Sequence, residues 1–180
     1  MMKLHLGCGH RNFGEDWIHI DAGNYGHLDY SSIQDLGQFK DDTIDLIYAS
    51  HVVEYFDRDE VNSLLQEWRR VLKKDSILRI AVPDFKAMSH LYSTRRIVLK
   101  DILGPLYGKM MMGNACIYHK TTYDFDSIKS VLQQNGFKSV KEYDWRSTDH
   151  SGFDDHSQAY LPHMDKANGT LISLNIEAHK

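Results

Sequence analysis

Cysteine is almost missing from this chain: Cys8 and Cys116 are the only two among 180 residues. A pair so far apart makes no disulfide framework, and neither thiol belongs to a metal-binding Cys-x-x-Cys pair. A reducing, cytoplasmic location is therefore expected. Long apolar runs are lacking too. None approaches the ~18–20 residues that a membrane span requires, and the opening "MMKLHLG" reads as a strand at once, so neither a membrane segment nor a secretory leader is expected. Charge of one sign is also scarce. The 21 basic and 25 acidic residues leave a net charge of -4, and basic residues gather only in pairs such as Arg69-Arg70 and Arg95-Arg96. That gives no footprint for nucleic acid and no basic face for a membrane surface. There is no internal repeat and no low-complexity tract.

What is present suits one domain, residues 1–180, with a full core. Strand-like and helix-like segments alternate, which points to an α/β fold with a mostly parallel sheet. The expected strands are 3–8, 17–21, 43–49, 76–83 (stopped by Pro83), a weaker 138–145, and 170–178. In the last, Ile172, Leu174 and Ile176 alternate with Ser173, Asn175 and Glu177, the pattern of a half-exposed, antiparallel strand. Val61, Leu64, Leu65, Trp68, Val71 and Leu72 form one apolar stripe and predict a helix over 58–73. Acids at its start and lysines at its end match the helix dipole. A second helix is expected over 125–135, with Asp124 as its N-cap and "NGF" as its stop. Residues 86–120 read as irregularly helical, and 146–169 as a polar stretch without a clear element.

Only residues 10–16 separate the first two strands, whereas a parallel crossover usually takes a dozen or more. Any helix there spans a turn or two at most. That leaves one face of these strands thinly covered, which suits His5 and His19 alternating with apolar residues. An antiparallel pairing of the two strands is the alternative.

The first strand runs into glycines at 7, 9 and 14, with an acid, Asp21, twelve residues past Gly9. Gly7 and Gly9 permit a sharp turn and a close approach of bare backbone to a ligand. A carboxylate at a strand end can accept both ribose hydroxyls of a nucleoside. A dinucleotide fingerprint needs a GxGxxG spacing, an acid ~20 residues on, and a well-formed helix whose N-terminus holds pyrophosphate. Here the third glycine is displaced, the acid is early and the helix stunted. S-adenosylmethionine (SAM) carries no phosphate and needs no such dipole, so the departures favour SAM over NAD. Taken alone, the motif also reads as a glycine turn with a capping aspartate.

Three ordered segments narrow this. "LHLGCGHRNFGEDWIHID", "DTIDLIYASHVVEYF" (42–56) and "EWRRVLKKDSILRIAVPDF" (67–85) together resemble the class I, Rossmann-like SAM-dependent methyltransferases, most closely the small type-11-like group. "HKTTYDFDSIKSVLQQNGF" (119–137) resembles that family's late helix. The resemblance implies a doubly wound, mostly parallel sheet with an antiparallel C-terminal strand in a three-layer sandwich. It implies SAM as methyl donor, S-adenosylhomocysteine as product, and a small-molecule or sugar-containing acceptor. Carried over by position, it implies that Gly7, Cys8 and Gly9 pass under methionine and ribose, and that Asp21 binds the ribose hydroxyls beside Ala22 at the adenine. Asp35 would bond the adenine amino group and Leu36 pack on the ring, with Ser50 and His51 near the methyl group. Tyr55 stands where the family often has histidine, and "KKDS" (73–76) where it has "KPGG".

Several side chains keep two readings. His51 is the first candidate for a base that takes the acceptor's proton, because the end of the third expected strand faces the crevice in open α/β sheets. It can equally cap the helical turn that follows. Asp84 reads better as a helix cap than as a substrate ligand, and Glu54 as an anchor for the turn after its strand. "DHSGFDDH" (149–156) offers Asp149, His150, Asp154, Asp155 and His156 as metal ligands, but a polar loop is the preferred reading, and no metal is expected. Substrate walls would come from 86–120 and 146–169, with Tyr107, Tyr118, His119, Tyr160 and His163 as lining and "MMM" (110–112) as core or lid packing. A SAM- or nucleoside-binding module without catalysis is the competing functional class. The oligomeric state has no signature in the sequence.

Overall fold

A computed structural model describes residues 1–112 and 115–180. Six strands form the central sheet in the order β2-β1-β3-β4-β10-β7: β1 (Lys3–Leu6), β2 (Trp17–Ile20), β3 (Ile44–Ser50), β4 (Leu72–Pro83), β7 (Lys138–Glu142) and β10 (Ser173–His179). β1 to β4 pair in parallel, Lys3 opposite Trp17 and Leu6 opposite Ala49. β10 runs antiparallel between β4 and β7. The parallel pairing of β1 and β2 settles the open question about the short crossover. Among the described residues, 10–16 hold no helix at all.

The chain runs outward from β1 to β2, returns to β3 on the other side of β1, and continues to β4. The strand order therefore reverses between β1 and β3, and in open α/β sheets the crevice at such a switch point takes the ligand. Gly7 leaves β1 and His51 leaves β3 on either side of that point.

One face of the sheet is packed as its pattern predicts. α1 (Glu60–Val71) lays Val61, Leu64, Leu65, Trp68 and Val71 on it, all buried. α4 (Phe125–Gln134) adds Ile128 and Leu132, and Asp124 caps it by accepting the Ser127 N–H at 2.9 Å. Each fully buried aliphatic of this kind stabilises the fold by about 1.5–3 kcal/mol.

The other face is covered differently. His5, His19, Tyr48, Asn175 and Glu177 point there, and all are buried. Their cover is coil with two short 3-10 turns, Trp145–Ser147 and His156–Gln158, and Phe13 stacks on His5 at 4.0 Å and on His150 at 5.4 Å. The Tyr48 hydroxyl donates to Asp155, and the Asn175 amide donates to the Ser157 carbonyl at 3.0 Å. The polar edge of β10 is thus not solvent-facing as its alternation suggested. Residues 144–158 replace the helix that the short crossover has no length to supply.

Residues 86–120 hold α2 (Phe85–Ser93), α3 (Leu99–Tyr107) and a hairpin of β5 (Met110–Met112) with β6 (Ala115–Ile117). Residues 113–114 of this expected insertion lie outside the described residues. Met110, Met111 and Met112 are exposed, so they are not core. β8 (Tyr160–Leu161) and β9 (Thr170–Leu171) form a small separate ladder.

Candidate active site

The loop after β1 turns through the left-handed region twice, with φ of +66° at Gly7 and +58° at Gly9, a conformation side chains disfavour. At Gly7 a Cβ would also overlap the Val52 side chain, whereas at Gly9 it would meet nothing within 4 Å. The first glycine allows close packing and the second borders open space. Between them the Cys8 thiol is buried, 3.9 Å from His27 Nε2, and burial pushes its pKa up to about 12. It therefore stays neutral and is no nucleophile.

Asp21 closes this loop. The Gly9 N–H donates to Asp21 Oδ2 at 2.8 Å, and the Gly23 N–H donates to Oδ1 at 2.7 Å. A carboxylate offers about four acceptor positions. The backbone takes two, and two remain for a vicinal diol. The carboxylate is thus held in place without being used up. Ala22 is exposed next to it, and Gly23, Tyr25, Leu28 and Tyr30 help line an open depression of about 410 Å³ beyond it.

The expected Asp35–Leu36 pair is placed otherwise. The strand that would precede it is reduced to a single bridge, Ile20 with Tyr30. Asp35 is exposed and folds its carboxylate onto the Gly37 N–H at 3.0 Å. Leu36 has no exposed surface. Its N–H donates to Glu67 Oε1 at 2.9 Å and its carbonyl accepts from Arg70 Nη2 at 3.1 Å. α1 therefore clamps Leu36 into the core, and its side chain does not face the cleft.

At the end of β3 the Ser50 hydroxyl is buried and has no hydrogen-bond partner among the described residues. His51 follows with φ of +54°, a strained state for a residue with a side chain, of the kind that clusters at functional sites. Its N–H donates to the Ala81 carbonyl at 2.8 Å, so the sheet ladder itself imposes the turn. The imidazole places Nε2 3.1 Å from Ser173 Oγ and Nδ1 3.5 Å from Glu54 Oε1. Burial, then the fields of His156, His119 and Arg11, hold its pKa well below the ordinary value. The ring is neutral at neutral pH and able to accept a proton.

Two further residues meet here that the sequence reading did not bring to the site. The His156 ring centroid is 5.2 Å from that of His51, and Arg11 Nε donates to the Asp154 carbonyl at 2.8 Å. Other members of 149–156 are spent on the fold: Asp149 pairs with Lys3, Asp154 with Lys166, and Asp155 with Tyr48. Among the described residues, no group of three His, Cys, Asp or Glu is arranged to hold a metal ion. Asp84 caps α2, accepting the Ala87 N–H at 3.1 Å. Tyr55 donates to the Gly108 carbonyl at 2.7 Å and so ties the site to the end of α3. The five expected lining residues do not converge. Tyr107, Tyr118 and His163 are exposed, Tyr160 is buried with Arg146 on its hydroxyl, and His119 alone approaches the site, 3.7 Å from Glu54.

Comparison with known proteins agrees with this fold. Residues 16–80 match the type-11 methyltransferase domain family. Among solved structures, a SAM-dependent methyltransferase from Archaeoglobus fulgidus superposes with a TM-score of 0.59 at 16% identity, covering 99% of this chain and 86% of that one. The 1,6-didemethyltoxoflavin-N1-methyltransferase of Burkholderia thailandensis, solved with S-adenosylhomocysteine, gives 0.57 at 11% identity, with 99% and 70% covered. A methyltransferase from Haloferax volcanii, in complex with the activator Trm112, gives 0.55 at 13% identity, with 99% and 81% covered. No functionally curated protein matches the chain. The fold is that of the class I methyltransferases. Within that fold, residues 16–80 are similar to the type-11 methyltransferase domain. No helix is long and apolar enough to cross a membrane among the described residues.

Proposed function

We propose that the Gly7–Gly9 loop and Asp21 hold S-adenosylmethionine for methyl transfer to a small-molecule or sugar-containing acceptor, with His51 taking the acceptor's proton. The observation that carries the reading is the Asp21 carboxylate, fixed by two backbone N–H groups with two acceptor positions free, beside a glycine that faces open space. The donor set suits a nucleoside with a free diol and no phosphate. Among the described residues, no helix N-terminus stands behind the loop to receive pyrophosphate.

S-adenosylmethionine supplies an electrophilic methyl group on a sulfonium, displaced in line by a nucleophile that proximity and orientation can largely drive. The chain's part is to bind and orient. Asp21 accepts the ribose hydroxyls, the bare backbone of Gly7 to Gly9 passes under the nucleoside, and Ser50 offers a hydroxyl with no partner among the described residues. Ala22 would lie beside the adenine. Asp35, exposed and holding the Gly37 N–H on one carboxyl oxygen, keeps the other free for the adenine amino group. His51 accepts the proton that an oxygen or amine nucleophile must lose. The net charge of -4 supports a small acceptor over a nucleic acid.

Calorimetry with SAM, S-adenosylhomocysteine and NAD tests the binding half. Heat with both sulfur ligands and none with NAD is expected, and no binding of either sulfur ligand overturns it. For catalysis, His51→Ala should leave SAM affinity within a few-fold and lower turnover by ~10²–10⁴ on an acceptor found by screening.

A further inference from the structure

Methyl transfer as described leaves one buried group without a task. Glu54, in the short 3-10 turn Val53–Tyr55, is 0% exposed, and neither carboxyl oxygen has a hydrogen-bond partner among the described residues. A buried carboxyl left alone is costly unless it is neutral or paired. Its surroundings are two imidazoles from different parts of the chain. His51 Nδ1 lies 3.5 Å from Oε1, and His119 Nε2 lies 3.7 Å from the same oxygen.

The enclosure is built by the segment that follows the β5–β6 hairpin. Lys120 and Thr121 N–H groups donate to the Glu54 carbonyl at 2.8 and 3.2 Å. The His119 ring fills the space that a side chain at Gly108 would need and meets Tyr55 edge-on at 4.6 Å. The other titratable groups facing the cluster are Tyr55 and Tyr123, both raised by burial and then by the Glu54 charge, with His156 facing both imidazoles and Arg11 facing His51.

We propose that Glu54 is a positioning residue of this site, whose carboxyl selects the tautomer of His51. The proposal rests on the assignment of His51 as proton acceptor. With the carboxyl protonated, its O–H donates to His51 Nδ1, and the ring proton sits on Nε2, where it donates to Ser173 Oγ. With the carboxyl ionised, Nδ1–H donates to the carboxylate, and Nε2 carries the lone pair. In that form Nε2 can accept from Ser173 or from an acceptor group. Between the two forms one proton leaves to solvent and the ring proton moves from Nε2 to Nδ1. Burial pushes the Glu54 pKa up to about 8 and both imidazoles down, so the cluster without net charge spans neutrality. His119, on the same carboxyl oxygen, competes with His51 for its proton.

The test is histidine NMR on the full chain labelled with ¹⁵N-histidine, between about pH 6 and 9.5. His51 is assigned by the signals lost in His51→Gln. In the wild type its pattern should change from the Nε2–H to the Nδ1–H tautomer with a midpoint near 8, and Glu54→Gln should remove the change. His119→Gln should keep the change and move its midpoint. A single His51 tautomer across the range, or the same transition in Glu54→Gln, overturns the proposal. The wild-type titration needs no variant, so a Glu54→Gln chain that fails to fold leaves the test standing. SAM calorimetry reports on the methyltransferase reading separately, since it does not depend on the state of Glu54.

Discussion

Asp21→Asn keeps the shape of the side chain but removes its charge and one of its two acceptor oxygens. In the wild type those oxygens hold the Gly9 and Gly23 N–H groups at 2.8 and 2.7 Å. Asparagine can satisfy only one of them and turns an N–H₂ group towards the other. A hydrogen bond to a charged group contributes about 1.5–3 kcal/mol. For a half-buried residue the lower part of that range applies, giving a loss of about 2 kcal/mol. In a chain of this length that lowers Tm by roughly 4–8 °C. The same change leaves one acceptor fewer for the ribose diol, which should weaken SAM binding by roughly 10- to 100-fold. Differential scanning calorimetry reads the first effect and isothermal titration the second. A lowered Tm with unchanged affinity would refute the ribose assignment. If neither moves, the tie between Gly9, Asp21 and Gly23 does not exist in solution.

Three further perturbations probe other parts of the structure. Gly7→Ala forces a side chain into a left-handed turn and into Val52; it should cost about 2–4 kcal/mol in denaturant unfolding, and Val52→Ala in the same chain should restore part of it. Tyr48→Phe leaves the buried Asp155 carboxylate without its hydroxyl donor; a loss of about 1–3 kcal/mol and faster proteolysis within 144–158 are expected, and unchanged proteolysis would show that this cover is held some other way. The Glu54 carboxyl keeps its proton in the folded state up to about pH 8 but ionises near 4.5 when unfolded, so the stability it contributes is lost as pH rises towards 8. The depressed histidines act oppositely, but only below their ordinary value of 6.5. Between pH 6.5 and 8 unfolding should therefore become easier by about 2 kcal/mol, and in Glu54→Gln that slope should vanish.

The layout of the sheet was legible because its strands and the α1 stripe follow the two periodicities that packing requires. β1, β3 and the helix over Glu60–Val71 lie where their patterns place them. The glycine turn and Asp21 were legible because positive φ and a fixed carboxylate each demand a residue type. Other features depend on contacts between distant segments. Asn175 and Glu177 look like solvent-facing residues until Ser157 and Arg79 meet them. Leu36 resembles a ring-packing residue until Glu67 and Arg70 pull its backbone into the core. Glu54 read as an anchor because the partner that completes its site, His119, lies 65 residues away. The β5–β6 hairpin was hidden by methionines, which favour helices when read by propensity alone.

The proposed sulfonium nucleoside site, where Asp21 after β2 meets the glycine loop after β1, turns on the Asp21 carboxylate. Isothermal titration of the wild type and of Asp21→Ala with S-adenosylhomocysteine tests it most directly. One-to-one binding by the wild type, lost in Asp21→Ala while the variant stays folded by circular dichroism, is the predicted result. Wild-type binding that survives the substitution, or no binding by the wild type at all, would contradict it.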